Sequence, residues 1–112
     1  MILFINACVR ADSRTKKIAD AYLSKAGEEV TEVKLESIEF PLTDEGYLRK
    51  RDSLIASGEL SDPMFSPARQ FAKADRIVIA APYWDLSFPA VLKQYFEHIN
   101  VPGITFEYTP EG

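Results

Sequence analysis

The sequence predicts an α/β fold with a parallel sheet, and two patterns support this prediction. Two short stretches are unbroken runs of apolar residues, at positions 2–5 and 77–81. Strand-length runs without polar residues are typical of interior parallel strands, which are covered on both faces. Helical patterns lie between the candidate strands, and this alternation indicates a parallel sheet with helices on its faces.

A third candidate strand covers residues 32–35, where charged and apolar residues alternate. Burial of only one face is expected for a strand at the edge of a sheet. A long segment over residues 36–64 and a short extended piece over residues 104–108 complete the chain. With 112 residues and no linker, we expect one domain that spans residues 1–112.

Helices are predicted from apolar residues at helical spacing and from signals at the helix ends. The first ends at Gly27, and its inward positions are Ile18, Ala19, Tyr22, Leu23 and Ala26. The second begins at Ser66, with inward positions Ala68, Phe71 and Ala72. The third begins at Pro89 and ends before Pro102, and it buries Val91, Leu92, Tyr95, Phe96 and Ile99. Residues 43–45 are a capping signal for a fourth helix in the long segment.

Composition argues against several classes of protein. Thirteen basic against 17 acidic residues give a net charge of −4, which disfavours binding to nucleic acids or to anionic membranes. The single cysteine, Cys8, excludes an intrachain disulfide and a zinc site built from cysteines, and we expect no metal. No apolar run approaches the roughly 20 residues that span a bilayer, and no signal peptide is recognised. We therefore expect a reducing, cytoplasmic location.

Two loops are expected to meet at one edge of this sheet. In an open α/β sheet, ligands bind beyond the carboxyl ends of the strands, where the strand order reverses. The first loop, residues 8–15, follows the first strand, and the second loop, residues 82–89, follows the strand at 77–81. These two loops are the segments in which we expect function.

The first loop offers groups that suit an anion. It lacks the glycine patterns of dinucleotide-binding and P-loop proteins. It carries Ser13, Arg14 and Thr15 at the start of a predicted helix, where unsatisfied N–H groups and the helix dipole favour negative charge. The alternative is that Ser13 only caps the helix and Arg14 is a solvated charge.

The second loop is unusually aromatic. It places Tyr83, Trp84, Leu86 and Phe88 in a connection after an apolar strand. A loop of this composition indicates a flat ligand or a partner surface, although the same rings could simply cover the end of the sheet. Together, the two loops suggest a phosphorylated ligand with a planar ring.

Two motifs resemble one known family. Residues 81–96 read APYWDLSFPAVLKQYF, and residues 103–108 read GITFEY. They resemble the FMN-dependent NADH:azoreductase and NAD(P)H:quinone oxidoreductase family, in which a Pro-x-Tyr-Asn-Phe-x-x-Pro-x-x-Leu-Lys segment is followed by G-x-T-F-x-Y. Ser13-Arg14-Thr15 is similar to the S-x-S phosphate segment of that family. The resemblance covers nearly the whole chain.

The resemblance implies a flavodoxin-like, doubly wound parallel sheet with strand order 2-1-3-4-5, here incomplete after the third strand and its helix. It implies FMN as the cofactor and NADH or NADPH as the co-substrate. The implied activity is the two-electron reduction of quinones or azo compounds by hydride transfer. The flavin would carry the chemistry, so no side chain is expected to act as a catalytic acid or base. Family members work as homodimers.

The resemblance also implies a set of site residues. Ser13, Arg14 and Thr15 would hold the FMN phosphate. The flavin ring would be bordered by Pro82, Tyr83, Trp84, Asp85 and Leu86. Asp85 falls where the family often has Asn, Trp84 where it usually has Tyr, and Leu86 where it often has Phe. A carboxylate only accepts hydrogen bonds, whereas an amide also donates, so Asp85 bears on the redox potential of the flavin.

Two other functions stay open. An electron carrier of the flavodoxin type, without substrate turnover of its own, suits the acidic balance, although the G-x-T-F-x-Y motif resembles the reductases. An inactive fragment is the other alternative. Because no fourth strand is predicted, we expect the strand at 77–81 to be covered by another chain or by residues beyond 112.

Three further side chains have ambiguous or minor roles. Cys8 is expected to be a small buried thiol. His98 is expected to be solvated on the polar face of the last helix. Arg10 either touches a phosphate or is a surface charge.

Overall fold

The computed structural model describes residues 1–111, which form three strands and four α-helices. The strands are β1 (Ile2–Asn6), β2 (Val30–Lys34) and β3 (Arg76–Ala80). The helices are α1 (Arg14–Ala26), α2 (Glu45–Ala56), α3 (Ser66–Lys73) and α4 (Ala90–Ile99). The predicted alternation of strands and helices is confirmed.

The sheet has the order β2-β1-β3, and both pairs of neighbours are parallel. Ile2 of β1 lies opposite Val30 on one side and Arg76 on the other. Every residue of β1 is buried, as its unbroken apolar run predicts for a central strand. β2 buries Val33 and exposes its charged neighbours, which is the one-sided pattern predicted for an edge strand.

β3 is less buried than its apolar sequence predicts. Within residues 1–111 it pairs with β1 alone. Ile79 is 43% exposed, and Arg76 is also exposed, whereas Ala80 is buried. The run of apolar residues therefore belongs to a strand with one open edge in the described part of the chain.

The chain divides into two compact units. The first comprises residues 1–39 and 74–95, and the second comprises residues 40–73 and those from 96 onward. A core cluster of the first unit consists of Phe4, Cys8, Ala19 and Ala80, with Leu23 and Val78 packed against it. A cluster of the second unit consists of Phe65, Ala68 and Val101, with Leu54, Ile55, Leu60, Met64 and Ile104 around it.

Helix α1 begins and ends at the predicted signals but buries a narrower stripe than predicted. Gly27 takes a left-handed conformation with φ 67° and ends the helix. Ala19 is buried and Leu23 packs on the same cluster. Ile18, at 73% exposure, and Tyr22 are exposed, so their predicted inward positions are wrong. They lie beside the stripe through Ala19 and Leu23 that contacts the core.

The other helices largely follow their predicted signals. The Asp44 carboxylate caps α2 by accepting the Tyr47 N–H at 2.9 Å. In α3, Ala68 is buried as predicted but Ala72 is exposed. In α4, Leu92, Tyr95 and Ile99 are buried as predicted. None of the helices described here is long and apolar enough to cross a bilayer.

Candidate functional site

The two loops leave the sheet side by side. Asn6 and Ala80 are paired residues at the carboxyl ends of β1 and β3. The next residue, Ala7, donates its N–H to the Ala80 carbonyl at 2.9 Å. Because β1 and β3 are parallel neighbours, the first and second loops begin at the same edge of the sheet, as the sequence predicts.

Asn6 anchors the start of the first loop and is a residue that the sequence analysis missed. It is buried, its Oδ1 accepts the Cys8 N–H at 2.9 Å, and its Nδ2 donates to Glu32 Oε2 at 3.2 Å. A polar residue at the end of an apolar run was the available signal. Cys8 itself is buried, with its Sγ 3.7 Å from the Ala80 carbonyl, so the predicted buried thiol is confirmed.

Ser13 is the N-cap of α1. Its Oγ accepts the Lys16 N–H at 3.2 Å, which is the capping role considered from the sequence. Arg14 is exposed and Thr15 is half-buried in the first turn. The Lys16 N–H of that turn is taken by this cap, whereas the N–H groups of Arg14 and Thr15 have no partner within the helix and are available as hydrogen-bond donors. A role for these three residues in holding phosphate stays a prediction.

The second loop contains a tight turn in a rare backbone conformation. Trp84 and Ser87 exchange two hydrogen bonds, 2.7 Å and 2.8 Å long. Between them, Asp85 has φ 48° and Leu86 has φ 64°. Two positive φ values in a two-residue connection define a type I′ turn, which usually contains Asn or Gly. The sequence analysis missed this turn because neither residue is present.

The turn presents apolar side chains and free backbone donors. Leu86 is 87% exposed and Tyr83 is 74% exposed. The two hydrogen bonds of the turn use the N–H groups of Trp84 and Ser87. The N–H groups of Asp85 and Leu86 lie outside this pairing, so they are available to a ligand.

A cleft joins the two loops. It has a volume of about 460 Å³ and is lined by Arg10 from the first loop and by Tyr83, Trp84 and Asp85 from the second. This volume lies within the range of roughly 300–1,000 Å³ that is usual for small-molecule sites. The structure thus brings three predicted site residues together with Arg10, whose role the sequence left open. Among the described residues, Ser13, Arg14, Thr15, Pro82 and Leu86 do not line this cleft.

His98 is buried, so its predicted position on a solvated face is wrong. Its Nε2 lies 2.9 Å from the Pro41 carbonyl and its Nδ1 2.8 Å from the Tyr47 hydroxyl. Since a carbonyl only accepts, Nε2 carries the proton, and the neutral ring accepts from Tyr47 at Nδ1. The ring also stacks on Phe40 with centroids 4.8 Å apart. Burial lowers the pKa of His98, which favours this neutral form.

The G-x-T-F-x-Y motif is a folded turn that closes α4. Thr105 Oγ1 donates to the Ile99 carbonyl at 2.6 Å and accepts the Val101 N–H at 3.1 Å. Gly103 has φ 91° and donates its N–H to the Phe106 carbonyl at 2.8 Å. The glycine and the threonine of the motif therefore have structural roles at the end of the helix.

No metal centre is found in the part of the chain that the structure describes. No group of three or more His, Cys, Asp or Glu side chains there lies close enough to hold an ion. The chemistry-bearing groups of the site are thus one guanidinium, one carboxylate, two aromatic rings and backbone donors.

A parallel sheet in the order β2-β1-β3, with an aromatic cleft at its carboxyl edge, places the chain among the open α/β proteins. The sequence profile of a family with the flavodoxin-like fold matches residues 1–112. The chain belongs to this family. The fold predicted from the sequence is confirmed, with the described strands in the first three positions of its order.

Two curated relatives match almost the full chain. One is the FMN-dependent NADH:quinone oxidoreductase of Clostridium beijerinckii, 36% identical over 118 aligned residues. Another is FMN-dependent NADH:quinone oxidoreductase 2 of Clostridium acetobutylicum, 42% identical over 121. Each alignment covers 99% of this chain, and 60% and 58% of the relatives respectively. The predicted family resemblance is confirmed.

A solved structure shows the same fold. The crystal structure of azoreductase from Bacillus anthracis superposes with a TM-score of 0.84 at 28% sequence identity. The superposition covers 99% of this chain and 60% of the azoreductase. The chain therefore spans about 60% of the length of the relatives that it matches.

Proposed function

We propose that this chain carries the FMN-binding part of an NADH- or NADPH-dependent oxidoreductase that reduces quinones or azo compounds. The observation that carries the proposal is the cleft of Arg10, Tyr83, Trp84 and Asp85 at the carboxyl edge of the sheet. It lies in a chain that aligns over 99% of its length with FMN-dependent NADH:quinone oxidoreductases.

The residues present fit FMN. The cleft offers two aromatic side chains, Tyr83 and Trp84, to a planar ring. The first turn of α1 offers backbone donors and the positive end of a helix dipole to a phosphate. The Ser13 hydroxyl already accepts from the Lys16 N–H, but its own proton is still available for donation to a phosphate oxygen.

Each group of the second loop has a defined task in this proposal. The N–H groups of Asp85 and Leu86 would donate to acceptor atoms of the ring, and their strained turn holds them in place without a ligand. The Asp85 carboxylate only accepts, so it would favour ring N–H groups. Bound FMN would supply the hydride-transfer chemistry, and the protein would supply orientation and electrostatics. No side chain is needed as an acid or base.

Further parts of the proposal concern partners. We expect a small aromatic quinone or azo compound as the acceptor and a homodimer or a strand-completing partner chain as the assembly. A cytoplasmic location stays our expectation, since the one cysteine is a free, buried thiol.

The test uses the purified protein, its visible spectrum and its NADH oxidation in the presence of menadione. The proposal predicts a yellow protein that binds FMN and oxidises NADH only when the quinone is added. A yellow protein without turnover would indicate an electron carrier. A colourless protein that takes up no added FMN would contradict both functions.

A further inference from the structure

Asn6 is a buried polar side chain at the end of an apolar strand, with an exposure of only 1%. Its Oδ1 accepts the Cys8 N–H at 2.9 Å, and its Nδ2 donates to Glu32 Oε2 at 3.2 Å. Burial of an amide is costly unless its polar atoms find partners, and here both ends are hydrogen-bonded. One planar amide therefore joins the edge strand β2 to the start of the first loop.

The register of the sheet places this junction on the face that α1 covers. Glu32 lies opposite Phe4, and Lys34 lies opposite Asn6. Since alternate residues of a strand point to the same face, Glu32 and Asn6 are diagonal neighbours on one face. Phe4 shares a core cluster with Ala19 of α1 on that face. The first loop thus leads from β1 into α1 on the side where Asn6 and Glu32 meet.

An amide is the group that satisfies both partners of Asn6. The Cys8 N–H only donates and the Glu32 carboxylate only accepts, whereas an amide does both. An aspartate at this position would set a second carboxylate against Glu32, and a leucine would leave the Cys8 N–H without its acceptor. Within residues 1–111 Glu32 forms no ion pair, so its carboxylate is free to accept from the amide.

The bond from Asn6 lies between two other anchors of the first loop. The Ala7 N–H donates to the Ala80 carbonyl at 2.9 Å, where the loop leaves the sheet. The Ser13 N–H donates to the Arg10 carbonyl at 3.3 Å, directly before α1. By holding the Cys8 N–H between them, Asn6 fixes the direction in which the chain runs from β1 to the start of α1.

We propose that Asn6 is a positioning residue: its amide, held by the Glu32 carboxylate, sets the first loop so that the donors at the start of α1 meet the phosphate of FMN. The proposal rests on the proposed function, because it needs that phosphate to bind there. Asn6 itself touches neither the phosphate nor the flavin ring in this proposal. It acts through the loop.

A positioning role and a purely structural role have different consequences for binding. An Asn6 that only stabilised the fold would affect every ligand of the protein alike. An Asn6 that positions the phosphate donors affects FMN but not riboflavin, which lacks the phosphate. The ratio of the Kd values for riboflavin and FMN, here called the phosphate preference, is therefore the quantity to measure.

The experiment titrates the 112-residue chain with FMN and with riboflavin and follows flavin fluorescence. The variants are Asn6→Leu, Asn6→Asp, Glu32→Gln and the double variant Asn6→Asp with Glu32→Gln. The control is Thr43→Val, because the Thr43 hydroxyl also donates to a glutamate, Glu97, at 2.8 Å, but in the other compact unit.

We expect Asn6→Leu and Asn6→Asp each to lower the phosphate preference about tenfold, the usual effect of losing one hydrogen bond on a binding equilibrium. Riboflavin binding should stay unchanged. Glu32→Gln alone should change little, since its amide oxygen still accepts from Asn6. Thr43→Val should leave the phosphate preference at the wild-type value.

The double variant should restore most of the phosphate preference that Asn6→Asp loses. Its new amide donates to its new carboxylate, so the hydrogen bond between positions 6 and 32 forms again with donor and acceptor exchanged. The net charge also returns to that of the wild type. If Asn6→Leu does not fold, the comparison of Asn6→Asp with the double variant decides the proposal.

Three results would overturn the proposal. Equal losses for FMN and riboflavin in the Asn6 variants would show a structural role only. A loss in Asn6→Asp that is absent from Asn6→Leu and not restored in the double variant would show only repulsion between a new charge and the phosphate. A similar loss in Thr43→Val would show that any lost hydrogen bond has this effect.

Failure of the proposed function gives a different pattern. A wild-type protein that binds neither flavin would reject both the FMN site and the positioning role. Hydrogen exchange of the Cys8 amide, faster in Asn6→Leu than in wild type, would then identify the Asn6 bond as a structural contact alone. Conversely, a wild-type protein that prefers FMN, with variants that keep this preference, supports the flavin site and rejects the role of Asn6.

Discussion

Leu86 holds a left-handed conformation that costs an L-residue roughly 1–2 kcal/mol. Its side chain is 87% exposed, so burial offsets little of this cost. Strained residues of this kind cluster at ligand-binding loops, where the surrounding structure fixes them. The strain at Leu86 is therefore consistent with a loop shaped for a ligand rather than for stability.

Replacing Leu86 with glycine should stabilise the fold. We expect Leu86→Gly to raise the free energy of unfolding by about 0.5–1 kcal/mol, since relief of the left-handed strain exceeds the added entropy of the unfolded chain. Leu42→Gly is the control, because Leu42 is also exposed, at 75%, but does not have a positive φ. Urea unfolding should show a gain of stability for Leu86→Gly and a loss of stability for Leu42→Gly. A loss of equal size for both would contradict the strain argument.

The proposed phosphate contacts lie at the start of α1, and substitutions of Ser13 and Thr15 test them. Changing Ser13 and Thr15 together to alanine should weaken FMN binding by about 2–4 kcal/mol, allowing for non-additivity of two hydrogen bonds to a charged group. Riboflavin, which lacks the phosphate, should bind the variant and the wild type equally in a fluorescence titration.

Ser13 also caps α1, so the double variant should lose about 1 kcal/mol of stability as well. The riboflavin control separates this effect from phosphate binding. A matching loss of riboflavin affinity would show that the substitution damages the fold of the site rather than a contact to phosphate.

At the scale of single elements, the sequence predicted the features that depend on local patterns. The strands, their parallel pairing and the capping residues Ser13 and Asp44 follow from apolar runs and end signals, whereas the strand order was implied by the family resemblance. Periodicity identified a face of α1 but not how much of it is covered, so Ile18 and Tyr22 were placed wrongly. The width of a buried stripe depends on the neighbouring elements, which local spacing does not encode.

The features that were missed depend on long-range contacts or rare conformations. His98 is buried through partners 51 and 57 residues away, Tyr47 and Pro41, which no helical pattern reveals. The turn at Asp85 and Leu86 lacks the glycine or asparagine that normally signals it. The position of Arg10 in the cleft depends on how two distant loops meet, so the sequence alone left its role open.

The surroundings of His98 predict a pH dependence of stability. Burial lowers the pKa of His98 in the folded chain, against the opposing effects of the Pro41 hydrogen bond and the Glu97 charge. At pH values between the lowered pKa of the folded chain and the pKa of about 6.5 in the unfolded chain, the unfolded chain binds more protons than the folded chain. The stabilising contribution is therefore complete above about pH 6.5 and is lost as the pH falls through the pKa of the folded chain.

Urea unfolding between about pH 7.5 and pH 5.5 measures this dependence, in a range above the ordinary titration of carboxylates. The control is His98→Gln, which can still donate to the Pro41 carbonyl but does not titrate. This variant should show a smaller loss of stability on acidification than the wild type. Identical slopes for the two proteins would exclude His98 as the source.

At the scale of the whole molecule, the open edge of β3 predicts that the 112-residue chain associates with itself. β3 pairs with β1 alone among residues 1–111, and it carries no charge after Arg76. An unpaired apolar edge offers its N–H and carbonyl groups to a strand of another chain. Ile79→Lys should abolish this association, because natural edge strands use lysine to prevent pairing with another chain and Ile79 is 43% exposed.

Sedimentation over a range of concentrations measures this association. The control is Ile18→Lys, the same substitution at an exposed position of α1, and this variant should still associate. A wild-type monomer at all concentrations, with the amides of residues 77–81 strongly protected from hydrogen exchange, would contradict the prediction, because an element of the same chain would then have to cover the edge.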